Sequence, residues 1–155
     1  KNLIQGGKLV KPYRNLLAIL DPDDPKSSGP IARWKIGDTP AGKPDVAFAQ
    51  PTVSPDGKEV AFILGMDTPN GFQSGLLMVA PLNTGAAASA RRLVGGNVNS
   101  PCWSPDGKLI GFAVMTPGGK SEIDTVPESG GDIKRVTTDG NFFGPRFSPM
   151  LPKPQ

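Results

Sequence analysis

The sequence predicts an all-β fold of repeated four-stranded antiparallel units, with little or no helix. Three observations carry this. About a quarter of the chain is Gly or Pro, a fifteen-residue segment recurs at an offset of 50, and each copy is followed by short apolar runs with turn signals between them. The 155 residues include 20 Gly and 18 Pro, which argues against a helical bundle. Pro costs a helix interior about 3 kcal/mol and Gly about 1 kcal/mol.

Composition also removes chemistry. The chain has no histidine and one cysteine. Ser-His-Asp and Cys-His catalysis, imidazole metal ligation, an internal disulfide and a thiolate zinc cluster are therefore excluded within it. The net charge is +3, and the densest basic pairs are Arg91-Arg92 and Lys134-Arg135. They lack interleaved aromatics, so they read as solvated surface and no nucleic-acid partner is expected. The best apolar run, Leu16 to Leu20, falls far short of the roughly 20 residues that cross a bilayer. No direct membrane span is expected. The chain opens at Lys1 with no leader-like segment, which reads as a processed terminus or as a piece of something longer.

The repeat sets the organisation. Residues 50–64 read QPTVSPDGKEVAFIL and residues 100–114 read SPCWSPDGKLIGFAV, with seven of fifteen positions identical. A weaker third copy opens at Gly144, where Phe147-Ser148-Pro149 matches Trp103-Ser104-Pro105. In chain order, residues 1–14 are an N-terminal arm. Residues 15–49 are a half unit: an apolar strand from Leu16 to Leu20, a loop, then Ile31 to Trp34. Residues 50–99 and 100–143 are full units, and 144–155 are a first strand with a proline-rich tail. Within each full unit, Ser-Pro-Asp-Gly (Ser54, Pro55, Asp56, Gly57; Ser104, Pro105, Asp106, Gly107) is a structural turn. Pro presets φ, Asp suits the next position and Gly supplies a left-handed backbone. Ser54 and Ser104 are expected to bond locally to the turn. The strands that follow, Val60 to Leu64 and Ile110 to Val114, are apolar on both faces, as in a sheet sandwiched between neighbours. Leu76 to Ala80 then Arg91 to Val94, and Ile123 to Val126 then Lys134 to Thr137, supply the remaining two strands of each unit.

Four-stranded repeats of this length stack radially as β-propeller blades. The pattern Trp-Ser-Pro-Asp-Gly-Lys, apolar-x-Phe, apolar strand, loop, Arg-Arg-Leu resembles the TolB-like and dipeptidyl-peptidase-type propeller repeat. The resemblance is fullest over Pro51–Val94 and Pro101–Val136, and covers most of the chain beyond about residue 15. The fold expectation is a partial, open propeller of about three blades. What the resemblance implies is the periplasm or cell envelope of a bacterium, peripheral to the membrane. Against that family's pattern, the repeats read here are expected to fall short of a full blade set.

Candidate chemistry is sparse. Asp21, Asp23 and Asp24 form an acidic loop that is a weak Ca²⁺ candidate without the spacing of an EF-hand. Cys102, beside Trp103, reads as core filler. No catalytic residues and no cofactor are expected. Trp34, Phe142, Phe143, Arg146 and Phe147 lie near the incomplete ends and are the interface candidates. Phe142-Phe143 stand out because adjacent strand residues face opposite ways. The expectation is a non-catalytic protein–protein interaction module whose partners are other subunits covering the open propeller edges. It would serve as an accessory or scaffolding subunit of an envelope assembly, docking on a membrane-anchored respiratory or photosynthetic complex being one form of this. The alternatives are a propeller fragment of a serine peptidase, or a propeller binding a small ligand or Ca²⁺.

Overall fold

The architecture follows from pairing each Ser-Pro-Asp-Gly hairpin with the strands on either side of it. A computed structural model describes residues 3–5, 8–10, 13–19, 23, 29–35, 45–68, 70–82 and 90–148. Apart from Asp23, side chains are described from Val46 onward, except at residues 67 and 74. Strands β1 (Leu3–Gln5) and β2 (Lys8–Val10) form a hairpin, and β3 (Tyr13–Ile19) pairs with β4 (Gly29–Lys35). A four-stranded antiparallel sheet follows, in the order β5 (Asp45–Val53), β6 (Glu59–Thr68), β7 (Gly71–Pro81), β8 (Arg91–Val94). A second has the order β9 (Val98–Trp103), β10 (Leu109–Met115), β11 (Ser121–Pro127), β12 (Lys134–Arg135). Among the described residues there is no helix. The fold is all-β, built of propeller blades.

Some bounds differ from the sequence reading. The segment expected as an arm contains the β1–β2 hairpin and the first residues of β3. Strand β5 begins ahead of residue 50, because Val46, Ala47 and Phe48 continue the ladder against Met66, Gly65 and Leu64. Residues 144–148, expected to open another first strand, adopt no strand. No described strand lies alongside to pair with them, and Pro145 has no N–H to give a ladder.

The two turns repeat one hydrogen-bond set. Ser54 Oγ donates to Asp56 Oδ1 at 2.7 Å, the Lys58 amide donates to the same oxygen at 3.1 Å, and the Glu59 amide donates to Ser54 Oγ at 2.9 Å. Ser104, Asp106, Lys108 and Leu109 repeat these bonds at the same three distances. Gly57 and Gly107 take φ of 71° and 72°, where a side chain would be strained.

Between the blades lies the main core. Ala61, Ile63, Leu77, Val79 and Val94 of the first blade meet Val98, Trp103, Ile110, Phe112 and Val126 of the second. On the opposite face of the first blade Val60, Phe62 and Ala80 form a smaller cluster, with Phe48 edge-on to Phe62 at 5.8 Å between ring centroids. Phe62 and Phe112 thus point the same way along the stack. The small residues Ala61 and Gly111 open the facing side of each sheet.

Candidate functional site

A groove runs along the first strands of the two blades. Each carries an X-Pro pair, and Pro inside a strand lacks a ladder donor, so the chain must bulge there. The β5–β6 register shifts between Ala49 and Thr52, and the β9–β10 register shifts at the matching place. Gln50 and Ser100, the residues before Pro51 and Pro101, take φ of 53° and 52°. Left-handed backbone at a non-glycine residue costs on the order of 1–3 kcal/mol, so the surroundings must hold it. They do: the Ser100 amide donates to Gln50 Oε1 at 2.6 Å, and Trp103 Nε1 donates to the Thr52 carbonyl at 3.0 Å. These two bonds lace β5 to β9.

Between these strands and the segment Gly144–Phe147 lies a cleft of about 560 Å³. Phe147 forms one wall. Its ring lies against Gly111, with Cε2 3.1 Å from where a Cβ would stand, and beside Cys102. Gly111 and Cys102 pair with each other as Ala61 and Thr52 do in the first blade, where Trp103 packs. Phe147 therefore occupies, on the second blade, the seat that Trp103 takes on the first. Cys102 is buried, and burial pushes its thiol pKa up, partly offset by the Arg146 cation. Arg146 is exposed at the cleft, its Nη1 donating to the Pro145 carbonyl at 2.9 Å.

The remaining sequence candidates are placed as follows. Residues 142–143 are not in a strand, so alternation does not apply to them. Phe142 folds over Gly140 and is 41% exposed, whereas Phe143 is 68% exposed. The structure thus brings Arg146 and Phe147 to one groove and leaves Phe142 and Phe143 outside it. Trp34 lies in β4 with its side chain outside the described part. Of the acidic loop, Asp21 and Asp24 lie outside the described residues and Asp23 is exposed. Among the described residues no group of three or more His, Cys, Asp or Glu is placed to hold a metal ion. Sequence reasoning missed Gln50, Thr52 and Ser100 as groove residues; the signal was the X-Pro pair recurring inside a strand.

A second cleft, about 370 Å³, separates the two turns and is lined by Asp56, Asp106, Glu59 and Glu128. The Ser54 and Ser104 hydroxyls, followed by the backbone amides of Lys58 and Lys108, hold Asp56 and Asp106 below the usual carboxylate range. Arg91 joins two of these lining residues, donating to both Glu59 oxygens at 2.7 and 3.3 Å and to the Glu128 carbonyl at 2.9 Å. This cleft is an interblade clamp.

Comparison with known proteins bears on the repeat. The chain is 31% identical over 96 residues to the Tol-Pal system protein TolB of Rickettsia prowazekii (strain Madrid E), a match covering 57% of this chain. It superposes on the structure assigned as TolB from Agrobacterium tumefaciens with a TM-score of 0.50, at 26% identity over 74% of this chain and 35% of that one. Its blades are TolB-like. No protein-family model matches the chain. Another superposition, at a TM-score of 0.44 and 24% identity, is with the β-propeller domain of the Trilobed protease from Pyrococcus furiosus, covering 59% of this chain and 28% of that one. The chain spans about a fifth, 21%, of the length of the Rickettsia protein. In TolB-like terms, the groove lies along the first strands of two successive blades, and Phe147, from the segment after the second blade, closes it.

Proposed function

We propose that this chain is a non-catalytic protein–protein interaction module of the bacterial cell envelope, acting at the periplasmic side as part of a larger assembly. The observation that carries this reading is the groove between β5 and β9. It offers two first-strand edges, an exposed Arg146 and, nearby, an aromatic side chain, Phe143, 68% exposed outside any core. Open strand edges accept an extended segment through main-chain bonds, and Arg recognises a carboxylate by its fork of donors. Aromatic and Arg side chains also carry much of the energy of protein interfaces. The Rickettsia relative is named as a component of the Tol–Pal system, which makes the other members of such a system the first partners to test. Among the described residues no helix is long and apolar enough to cross a membrane, as suits a peripheral role. Attachment to a respiratory or photosynthetic complex is a narrower version of this reading, and no residue of the groove selects it.

A photo-crosslinker placed at Arg146 or Phe143 in the periplasm tests the reading. The expected result is a discrete protein adduct, lost when Thr52 or Ser100 is replaced by Pro within the groove. Absence of any adduct from either position, with the chain folded, overturns it.

A further inference from the structure

At the far end of the first blade, opposite the Ser-Pro-Asp-Gly turn, the β6–β7 hairpin meets the link between β8 and β9. A cleft of about 610 Å³ opens there, lined by Phe72, Gln73, Asn97 and Asn99. It is separate from the groove of Gln50 and Arg146. None of its four lining residues is charged. Three are amides, and the fourth is an aromatic ring, 38% exposed.

The parts are held in place. The Phe72 ring lies on the bare backbone of Gly65, with its Cζ and Cε2 2.6 and 2.7 Å from where a Cβ would stand. Only glycine leaves room for that ring position. Thr68 Oγ1 donates to the Gly71 carbonyl at 2.7 Å and accepts from the Asn70 amide at 3.2 Å, tying the hairpin tip. On the other side the Asn97 carbonyl accepts from the Met115 amide at 2.9 Å and the Val98 amide donates to the Gly96 carbonyl at 3.1 Å. Gly71 and Gly96 take φ of 102° and 110°, so both loops rest on backbone that side chains avoid.

We propose that this cleft binds a neutral saccharide. A sugar hydroxyl both donates and accepts, and a primary amide is the uncharged side chain that offers both functions in one plane. The apolar C–H face of a pyranose suits a flat aromatic ring with one side already supported. Charged ligands have no counter-charge among the lining residues. Convergent polar groups beside an aromatic ring are the elements that orient a small ligand.

The test is titration of the isotopically labelled 155-residue chain with maltotriose and with chitotriose, followed by the side-chain amide resonances of Gln73, Asn97 and Asn99. The expected result is saturable movement of these resonances with one of the two sugars, with affinity about tenfold lower for Phe72→Ala. Asn99→Ala should also weaken binding, in a chain whose remaining spectrum is unchanged. Lys134→Ala, on the outer strand of the other blade, should bind as the parent does. No movement with either sugar at millimolar concentration overturns the proposal. So does binding that Phe72→Ala and Asn99→Ala both leave intact, or saturable binding of a neutral tripeptide at these same resonances in place of the sugars.

Discussion

The two complete blades share a turn and a strand order but differ on one face. On the third strand of the first blade, the side chains on the Phe62 face are Leu76, Met78 and Ala80. The same register positions of the second blade hold Glu122, Asp124 and Val126. Glu122 and Asp124 are 3% and 6% exposed. Both acids are satisfied from nearby: Thr137 Oγ1 and the Gly140 amide donate to Glu122 at 2.9 and 3.2 Å, and Arg135 donates to Asp124 through Nε at 2.8 Å. Ser121 adds two bonds to Phe142, one donated by its hydroxyl and one accepted by its carbonyl. The first blade is thus held by apolar packing, whereas the outer half of the second is held by hydrogen bonds that also fasten the segment leading to Phe147. A repeat can keep its turn and inner strands while its outer half changes its means of cohesion.

The sharpest challenge to this comparison is in the shared core. Phe112→Ala is expected to cost about 3–5 kcal/mol in urea unfolding followed by tryptophan fluorescence. Phe62→Ala, on the smaller cluster, should cost less. Equal costs would mean that the two faces are equally well packed. Next is Glu122→Leu, which gives the second blade the residue of the first. It strands the Thr137 hydroxyl and the Gly140 amide and should cost about 2–3 kcal/mol. A gain in stability would show the polar half to be replaceable by packing, as happens with some buried ionic groups. Arg91→Ala removes the clamp from Glu59 to Glu128 and should cost about 1 kcal/mol, the value being small because the Arg91 side chain is 37% exposed.

The smallest effect is in acid. Asp56 and Asp106 are held below the ordinary carboxylate range. A carboxylate depressed on folding adds stability that is present above its unfolded pKa, about 4, and is lost as pH falls through its folded value. Melting temperature should therefore decline on acidification below that range. The double variant Ser54→Ala, Ser104→Ala should decline less steeply.

The fold was legible because its signals are local. Ser-Pro-Asp-Gly fixes a turn through the φ preferences of three adjacent residues, and Phe62 and Phe112 follow at a set distance within strands apolar on both faces. What stayed hidden depends on register across strands. Asp124 reads as an ordinary exposed position of an alternating strand until β12 brings Arg135 beside it. Gln50 and Ser100 form groove walls only because the bulge turns them toward each other, and no propensity marks Gln or Ser for a left-handed backbone. Phe147 was legible as a match to Trp103, but its conformation was not, since a strand needs a partner that its own sequence does not supply.

The blades have a front and a back. In the core between the two described blades, the second presents Phe112 and the first presents Ala61, so the contact is heterologous and runs in one sense along the chain. Such a unit can be multiplied by duplicating its coding segment, because every new copy arrives carrying the key for the lock already in place. Inverting one unit would set key against key at one boundary and lock against lock at the next, leaving one overfilled and the other hollow.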